Sequence, residues 1–506
     1  MSVLIALLHK KLDGVGMYRT VTLALLFLAA TSIGLGTLGI LDYGPLELSA
    51  SLAFIVIIAV GVNILCSRLL KIAANHESAV ITGLILFFLF LPPQSGEEWF
   101  WVGVATVVAI LSKFVLTWRK QHVLNAAALG AVVVTWPYFT EASWWIATPV
   151  LFVPLALAGL VVVTKIRRWE LVLSFIVVAL GVFIFEEWRF GNTPVAATIT
   201  FFVSWPALFL AFFMLTEPFT MPGTKQKQVV YGALVGFLSS TAIFTPYFAM
   251  TPELALVVGN LIMFPFTMRQ KLFLTLQSKR EIASQTWEFV FSKPADMVFR
   301  AGQYLEWMLP HQRADNRGPR RYFTIASAPE ETVLRLALRV ETKQGSTYKK
   351  TLMQMQPGEQ IIASQRAGDF TLPAQTDTKL AFVAGGIGVT PFSSHLAHMQ
   401  QTNRWHDTVL YYCNNTAADI AYLDTFSRYA TGNPFRLVNV IGREKVADYE
   451  QGYLNEEIIK RHTPDYLERI WYLSGPPGMV NAYFTLLRTM QVPKKHIHRD
   501  FFPGLA

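Results

Sequence analysis

The chain has 506 residues, of which 53% are hydrophobic and only 15% are charged, and its mean hydropathy is +0.38. Soluble domains average about a quarter charged residues, so this composition excludes a wholly soluble protein and indicates that part of the chain lies in lipid. The formal net charge of +9 could attract nucleic acid. Much of the excess lies in short loops between apolar segments, so we attribute it to membrane orientation and expect no nucleic-acid partner.

The first half of the chain is predicted to form a multi-pass α-helical membrane bundle with about ten spans. A span takes about 20 predominantly apolar residues. Two of the ten apolar segments are short, and prolines end the first of these and interrupt the second. The segments are 21–41, 50–66, 79–91, 98–117, 124–140, 144–164, 169–185, 196–215, 229–249 and 252–267.

The loops between these segments alternate in charge. One set is basic, beginning with Lys10, Lys11 and Arg19, and the other is acidic, as at Glu97 and Glu98. The positive-inside rule then places both termini in the cytoplasm and the bundle in the inner (plasma) membrane. No pair of histidines lies within the spans, so we expect neither bis-histidine haem nor another metal site.

Three local patterns stand out in the membrane half. They are Thr82-Gly83 ahead of Pro92-Pro93, Lys113 followed by Asn125-Ala126-Ala127, and Thr216-Glu217-Pro218. Together they resemble the family that contains the RnfD membrane protein of the Rnf electron-transport complex and the related NqrB membrane protein of the Na⁺-translocating NADH:quinone reductase, over about residues 20–265. The resemblance implies flavin or quinone contact, or ion coupling, for Lys113 and Glu217. The alternative is that both side chains simply extend to the interface.

The loop between the seventh and eighth segments reads Phe190-Gly191-Asn192-Thr193. In the same family, FMN is esterified through its phosphate to a threonine of a Ser/Thr-Gly-Ala-Thr motif at this place. The resemblance therefore implies covalent FMN on Thr193, although Phe and Asn depart from the motif. The alternative is that Thr193 caps a helix whose first residue is Pro194.

The second half of the chain changes character at about residue 270. Residues 271–372 alternate short strands with turns, which predicts a small antiparallel β-barrel. From residue 379, strands alternate with helices, which predicts a parallel sheet that binds a nucleotide at its strand carboxyl ends. The predicted domains are a membrane domain at 1–268, a β-barrel domain at 269–375 and an α/β domain at 376–506.

Three motifs follow in order: Arg321-Tyr322-Phe323-Thr324, then Gly385-Gly386-Ile387-Gly388-Val389-Thr390-Pro391, then Ser474-Gly475-Pro476-Pro477-Gly478-Met479. The trio resembles the ferredoxin–NADP⁺ reductase-like flavoproteins, over about residues 270–506. The resemblance implies that FAD is bound by Arg321 at a phosphate, by Phe323 at the isoalloxazine face and by Thr324 near N5. The full predicted FAD set is Arg321, Tyr322, Phe323, Thr324, Gly345, Ser346 and Thr347, the last three as a diphosphate loop.

The same resemblance places NAD(P)H on the two glycine-rich turns, with the Ser474 hydroxyl beside the nicotinamide. Thr324 and Ser474 are therefore the candidate catalytic residues. NADH is favoured over NADPH because Cys413-Asn414-Asn415 lacks the arginine that often binds a 2′-phosphate, although Arg443 could replace it. The predicted NAD(P) set is Gly385, Gly386, Ile387, Gly388, Thr390, Pro391, Ser474, Gly475, Pro476, Pro477 and Met479.

These features together predict a membrane-bound FAD-dependent NAD(P)H dehydrogenase. Electrons would pass from NAD(P)H through FAD to a flavin or quinone in the membrane domain. From there they would stop at a quinone or flavoprotein, or continue to an extracytoplasmic redox protein. Two alternatives stay open: a quinone reductase without covalent flavin, and a transporter-like membrane protein with a regulatory flavin module.

Overall fold

The computed structural model describes residues 15–70, 76–118, 121–136, 139–241, 244–245, 248–267, 271–311, 315, 319–340 and 346–500. The chain divides into two compact units, Met1–Gln270 and Lys271–Ala506. The three predicted domains, with bounds at 268 and 375, stay a prediction.

Helices dominate the first unit, where backbone groups in lipid must be satisfied within each segment. The helices are α1 (Met17–Thr37), α2 (Pro45–Leu70), α3 (His76–Leu89), α4 (Gly96–Val115), α5 (Ala126–Thr135), α6 (Phe152–Ile166), α7 (Trp169–Arg189), α8 (Pro194–Val203), α9 (Lys225–Ser240) and α10 (Pro252–Thr267). A 3₁₀ turn, Pro149–Leu151, precedes α6, and a helical turn at Ala207–Phe209 continues as a π-helix at Leu210–Met214. The short strands pair as Thr117–Trp118 with Gln121–His122 and Phe244–Thr245 with Phe248–Ala249.

Five helices of the described ranges are long and apolar enough to cross a membrane: α1, α2, α4, α7, and α6 together with the turn before it. A sixth span results if α8 and Ala207–Met214 form one span, bent by 54°. The predicted count of ten spans is therefore not confirmed. One reason is that an apolar run need not be one long helix: the run at 124–140 contains α5, whose 10 residues extend only about 15 Å.

Small residues let helices of this unit approach closely. A Cβ added to Gly232 of α9 would lie 2.5 Å from the Leu171 carbonyl oxygen of α7, and one added to Gly236 would lie 2.7 Å from the Phe175 carbonyl oxygen. Such contacts between backbones are typical of helix pairs in lipid, where packing rather than hydrophobic burial holds helices together.

The second unit begins with a six-stranded antiparallel sheet, in line with the predicted alternation of strands and turns. Its strands are β1 (Leu272–Ala283), β2 (Thr286–Ser292), β3 (Tyr304–Met308), β4 (Arg320–Thr324), β5 (Val333–Arg339) and β6 (Gln360–Ala367). Their order is β4-β3-β6-β1-β2-β5, and helix α11 (Thr347–Gln354) lies between β5 and β6 in the chain. Apolar side chains such as Trp307 and Phe289 form the core of this sheet.

A six-stranded parallel sheet follows, as predicted. Its strands and helices are β7 (Leu380–Gly385), α12 (Thr390–Thr402), β8 (Thr408–Asn414), α13 (Leu423–Ala430), β9 (Phe435–Ile441), β10 (Glu450–Gln451), α14 (Glu456–His462), β11 (Ile470–Ser474), α15 (Pro477–Thr489) and β12 (Ile497–Asp500). The strand order is β10-β9-β8-β7-β11-β12. The central strand β7 is buried along its whole length, which fits its unbroken apolar run.

Candidate flavin and nicotinamide site

The order in which the chain adds strands to the parallel sheet reverses between β7 and β11. From β7 the chain runs outward through β8, β9 and β10, and then returns to β11 and β12 on the other side. Ala384 pairs with Ser474, and Gly385 pairs with Cys413, so the carboxyl ends of three strands lie side by side. Open parallel sheets bind ligands outside their strand carboxyl ends at such a reversal. Both predicted NAD(P) turns begin at this place.

The two glycine-rich turns contact each other. A Cβ added to Gly388 would lie 2.5 Å from the Ser474 carbonyl oxygen and 2.6 Å from the Gly475 Cα. A Cβ added to Gly385 would lie 2.6 Å from Met479 Cε. Neither glycine leaves room for a side chain. The structure thus brings together five of the predicted NAD(P) residues, from two segments about 90 positions apart.

Helices begin directly after both turns. Residues 386–389 form one 3₁₀ turn, in which Gly386 has φ +51°, and α12 then begins at Thr390-Pro391. After the other turn, Pro476 is the N-cap of α15 and Pro477 is its first residue. Backbone N–H groups at helix N-termini attract anionic groups such as phosphates. The remaining predicted NAD(P) residues therefore lie on the same two turns, at the ends of the strands.

Two buried hydroxyls of the predicted catalytic residues have no hydrogen-bond partner within the described ranges: Thr324 Oγ1 and Ser474 Oγ. Thr324 is 3% exposed and Ser474 is fully buried. Buried hydroxyls are nearly always hydrogen-bonded, so an unsatisfied one fits a place where a ligand completes the pairing. Each hydroxyl lies on the last residue of a strand, β4 for Thr324 and β11 for Ser474.

Arg321 lies beside the start of α11. Its Nη2 donates to Asp315 Oδ1 at 3.0 Å and Oδ2 at 3.3 Å, and its guanidinium lies over the Tyr348 ring, 5.2 Å from the ring centroid. The Asp315 backbone N–H donates to Thr347 Oγ1 at 3.0 Å. The Phe323 ring lies 6.0 Å from the same Tyr348 ring. The structure thus joins β4 and the predicted diphosphate loop around Tyr348.

Ser346 and Thr347 form the N-terminal end of α11, and Gly345 lies outside the described residues. Ser346 caps the helix, since its Oγ accepts a hydrogen bond from Lys349 N at 3.3 Å. Thr347 Oγ1 lies 3.0 Å from His311 Nε2. The Ser346 hydroxyl accepts in its cap bond and keeps its O–H to donate to a diphosphate oxygen. The Thr347 hydroxyl already pairs with His311.

Sequence analysis missed Glu306, a carboxylate that is 1% exposed in β3. Its Oε1 accepts hydrogen bonds from Arg320 Nη1 at 2.6 Å and from Ser364 Oγ at 3.3 Å. Its Oε2 accepts one from the Tyr322 hydroxyl at 2.9 Å. The carboxylate therefore fixes two side chains of the flavin strand β4. A lone acidic residue in the apolar run Tyr304–Met308 was the available signal.

In the first unit, residues from all three Rnf-like patterns line one cavity. Its volume is about 50 Å³, enough for about four water molecules. Nine of its lining residues are apolar or proline. The lining residues are Met17, Tyr18, Val21, Ser78, Ile81, Thr82, Ile85, Asn125, Ala126, Ala127, Ile166, Phe213, Thr216, Glu217 and Pro218.

The two ionisable residues predicted in the membrane half are both tied to this cavity. Lys113 Nζ donates to the Ser78 carbonyl oxygen at 2.9 Å, to Ser78 Oγ at 3.0 Å and to Thr82 Oγ1 at 2.6 Å. Glu217 lines the cavity, and its Oε1 lies 3.0 Å from His122 Nε2. Both side chains thus have protein partners at the cavity, and a role for either in flavin or quinone contact or in ion coupling stays a prediction.

Asn125 holds the elements around the cavity in place. Its Oδ1 caps α5 by accepting from Ala128 N at 3.0 Å, and its Nδ2 donates to the Met214 carbonyl oxygen at 3.1 Å. Its backbone N–H donates to Asn260 Oδ1 of α10 at 2.8 Å. One asparagine thus links α5, α10 and the π-helix. This gives the asparagine of the predicted pattern a structural role.

Thr193 is the N-cap of α8. Its Oγ1 accepts a hydrogen bond from Ala196 N at 3.2 Å, and Pro194 is the first helical residue. The side chain is exposed. The geometry is that of the helix-cap alternative, and covalent FMN on Thr193 stays a prediction.

Comparison with protein families gives one match in each half of the chain. Residues 382–484 match the oxidoreductase NAD-binding domain family. Residues 150–267 match the NQR2, RnfD, RnfE family, which overlaps the second half of the membrane unit.

Curated relatives resemble the C-terminal half. The reductase component of an aromatic O-demethylase from Amycolatopsis is 26% identical over 233 residues, which cover 45% of this chain and 68% of the relative. A propane 2-monooxygenase reductase component of Mycolicibacterium goodii is 26% identical, over 42% of this chain and 61% of the relative. The F component of a Na⁺-translocating NADH-quinone reductase from Methylococcus capsulatus is 25% identical, over 46% and 67%. The chain spans 58–68% of the length of the first four relatives.

Solved structures are similar over the same part of the chain. A cytochrome P450 reductase of Amycolatopsis is 25% identical with a TM-score of 0.41, over 46% of this chain and 71% of the other. A ferredoxin–NADP⁺ reductase of Neisseria gonorrhoeae, solved with bound FAD and NADP, is 18% identical with a TM-score of 0.40, over 46% and 99%.

The fold, the motifs and these matches agree on the class of the molecule, a membrane-associated electron-transfer reductase. Its C-terminal half matches the oxidoreductase NAD-binding domain family and resembles reductase components, and its membrane unit matches the NQR2, RnfD, RnfE family.

Proposed function

We propose that this protein is an inner-membrane NADH dehydrogenase that passes electrons from NADH through FAD to a quinone or flavin in its membrane unit. The observation that carries the proposal is the pair of unsatisfied buried hydroxyls, Thr324 and Ser474, on the two predicted redox motifs. In this proposal, each hydroxyl gains its missing partner from a bound cofactor.

Each side chain of the flavin strand has a distinct task. Arg321 pairs with a flavin phosphate through its planar fork, and Phe323 covers the isoalloxazine. The Thr324 hydroxyl donates a hydrogen bond near N5, and Glu306 holds the strand in register by binding the Tyr322 hydroxyl. When bound, FAD supplies the step from hydride to single-electron chemistry. The protein contributes orientation and the exclusion of water.

The two glycine-rich turns bind the nicotinamide nucleotide. The absence of side chains on Gly385 and Gly388 permits close backbone contact, and the helix starts after them favour the diphosphate. The Ser474 hydroxyl orients the nicotinamide toward the flavin. NADH is preferred, since Asn414 and Asn415 follow β8 where NADPH enzymes of this kind often place an arginine. A kcat/KM higher for NADH than for NADPH is the expected result.

We propose that the cavity of the membrane unit is where the electrons from the flavin module are accepted. A hydrocarbon core about 30 Å thick is too wide for one direct electron jump, so a flavin or quinone within the bundle is required if electrons cross. Both termini are cytoplasmic in this proposal, in line with the basic loops. In its longest form, the proposed pathway continues through FMN on Thr193 to an extracytoplasmic acceptor.

Anaerobic mixing of the purified protein with NADH tests the electron input. We expect the absorbance of the oxidised flavin to bleach. Thr324→Val should slow bleaching by about 100- to 1000-fold with FAD retained, since the loss of one hydrogen-bond donor at a reacting atom costs about this much. Thr485→Val on α15 is the matched control, because that hydroxyl donates within its own helix, to Asn481 O at 3.0 Å. A wild-type flavin that NADH leaves oxidised would refute the proposal.

A second candidate, a quinone reductase without covalent flavin, is favoured by the cap geometry of Thr193. In-gel fluorescence of the denatured protein, with Thr193→Ala alongside, separates the two. Fluorescence that is lost in the variant supports covalent FMN on this residue. A dark wild-type band, from cells that flavinylate other proteins, leaves the quinone reductase. Flavin that NADH reduces without turnover of any membrane acceptor would instead favour the transporter-like alternative.

A further inference from the structure

We propose that Glu217 and His122 deliver protons to a quinone that is reduced in the membrane cavity. The inference rests on the proposed function, because it takes this cavity as the place where the quinone accepts electrons. The substrate class is a benzoquinone or naphthoquinone, whose two carbonyl oxygens become hydroxyl groups.

The lining of the cavity suits a quinone ring, because most of it is apolar and few polar groups converge on it. The cavity volume is about 50 Å³, so binding of the ring requires the lining side chains to move apart. Most polar lining groups are engaged. Thr82 Oγ1 accepts from Lys113 and donates to the Ser78 carbonyl oxygen at 3.0 Å, and Thr216 Oγ1 donates to the Phe212 carbonyl oxygen at 2.7 Å. They are therefore poorly suited to exchange protons with a substrate.

Glu217 differs from these groups. Its Oε1 lies 3.0 Å from His122 Nε2, while its Oε2 is buried and has no partner within the described residues. A buried carboxylate oxygen without a partner is costly unless it is protonated or a ligand completes it. Ionisable groups at membrane depth are functional candidates for this reason. The Oε2 atom is thus placed to exchange a proton with a bound carbonyl oxygen.

His122 connects the carboxylate to the surroundings. It lies at the end of the Gln121–His122 strand, just before α5, and its ring packs edge-on against Phe219 at 5.0 Å. Its side chain is 11% exposed, so it can be reprotonated from water. The loop before it carries Arg119 and Lys120, which the positive-inside rule assigns to the cytoplasmic face. The protons would therefore come from the cytoplasm.

Other ionisable groups near Glu217 come from three further helices. Lys113 of α4 and Tyr231 of α9 both interact electrostatically with Glu217, and Tyr18 of α1 lines the same cavity. Lys113 carries the positive charge of this group, held against Ser78 and Thr82. A fixed cation beside the cavity stabilises the negative charge that develops on a quinone oxygen before it is protonated.

The overall reaction balances as NADH + H⁺ + quinone → NAD⁺ + quinol. NADH is oxidised, and its two electrons reach the quinone through the flavin proposed above. An O–H bond forms at one quinone oxygen with a proton from Glu217, and at the other oxygen with a proton from water. His122 then returns a proton to Glu217, and water reprotonates His122. A general acid placed in this way contributes about 10²- to 10⁴-fold.

The test compares two acceptors in full-length protein in nanodiscs. Ferricyanide takes an electron without a proton, whereas ubiquinone-1 takes up two protons. We expect Glu217→Gln to lower kcat with ubiquinone-1 by about 100-fold, with ferricyanide reduction and the calorimetric Kd for ubiquinone-1 within about twofold of wild type. His122→Gln should shift the pH profile of quinone reduction, and Glu217→Asp should restore much of the rate. Glu170→Gln, in an exposed pair with Lys225, is the matched control.

The outcomes separate this inference from the proposed function. Quinone reduction at wild-type rates in both Glu217→Gln and His122→Gln overturns the proton relay and leaves the quinone reductase standing. A Glu217→Gln variant that loses ubiquinone-1 binding shows a structural role and also overturns the relay. A wild-type protein that reduces ferricyanide and never ubiquinone-1 removes quinone as the acceptor and overturns the relay, whereas electron transfer to a flavin in the membrane unit still stands.

Discussion

Replacement of Gly388 by alanine is the sharpest test of the nicotinamide site. The added Cβ would lie 2.5 Å from the Ser474 carbonyl oxygen, 2.6 Å from the Gly475 Cα and 2.7 Å from the Gly475 N. All three are backbone atoms, so no side-chain rotation relieves the clash. Real Cβ atoms essentially never approach another atom within 3.0 Å, and ordinary contact begins at 3.4 Å, so the turns must separate by about 0.5–0.9 Å.

A displacement of this size has a predictable effect on hydride transfer. Overpacking costs about 1–3 kcal/mol, and a misplacement of about 1 Å between reacting groups costs about 100-fold in rate. We therefore expect flavin reduction by NADH to slow by about 100-fold in Gly388→Ala. Bound FAD should be retained, because the antiparallel sheet is unchanged.

Stopped-flow absorbance under anaerobic conditions measures this rate directly. Gly478→Ala is the control, since nothing lies within 4 Å of a Cβ added there and the residue shares a turn with Gly475. That variant should reduce its flavin within about threefold of the wild-type rate. Wild-type rate and NADH affinity in Gly388→Ala would refute the assignment of the two turns to the nucleotide.

Three other predictions concern stability and the membrane cavity. The Arg469 side chain is 1% exposed and binds Asp407 at 2.8 Å and Asp465 at 2.9 Å. Its replacement by alanine leaves these carboxylates without their partner, so Arg469→Ala should destabilise the parallel sheet by about 3 kcal/mol. A lower Tm for flavin release measures this loss. Burial lowers the pKa of His395 to about 3, below its ordinary value of 6.5, so its stabilisation is complete above pH 6.5 and is lost as the pH falls toward 3. In His395→Gln, the free energy of unfolding should depend less on pH between 6.5 and 3 than in the wild type, and an unchanged pH dependence contradicts the reasoning. Lys113→Met should lower kcat with ubiquinone-1 by about 100-fold, because the charge that develops on a quinone oxygen loses its cation, and a wild-type kcat would exclude this role.

Local sequence patterns predicted much of the fold and of the candidate site. The change from alternating strands to strand–helix alternation near residue 379 predicted an antiparallel sheet followed by a parallel one, and both are present. The three ordered motifs predicted residues that the structure then brings together, as Gly388 and Gly475 illustrate. Such motifs are readable because each one is short, contiguous and tied to one turn.

Features that depend on distant partners were not predictable in the same way. His122 and Glu217 are 95 positions apart, and no local pattern indicates that the two side chains meet. The role of Glu306 depends on its hydrogen bonds with Arg320 and Tyr322, which only the fold reveals. The span count is not confirmed for a related reason, since an apolar run indicates only that its residues avoid water. Whether they form one long helix or a short one, as in α5, depends on tertiary packing.

The π-helix at Leu210–Met214 sets the direction of the segment that follows it. A π-helix accommodates one extra residue in a helical turn, and each residue of an α-helix rotates the chain by about 100°. Thr216 and Glu217 come directly after this insertion. Removal of one residue from the bulge would rewind it to an α-helix and turn Glu217 away from the cavity without altering a single cavity side chain. The position of the carboxylate is thus encoded by the length of an apolar segment, as well as by the residue itself.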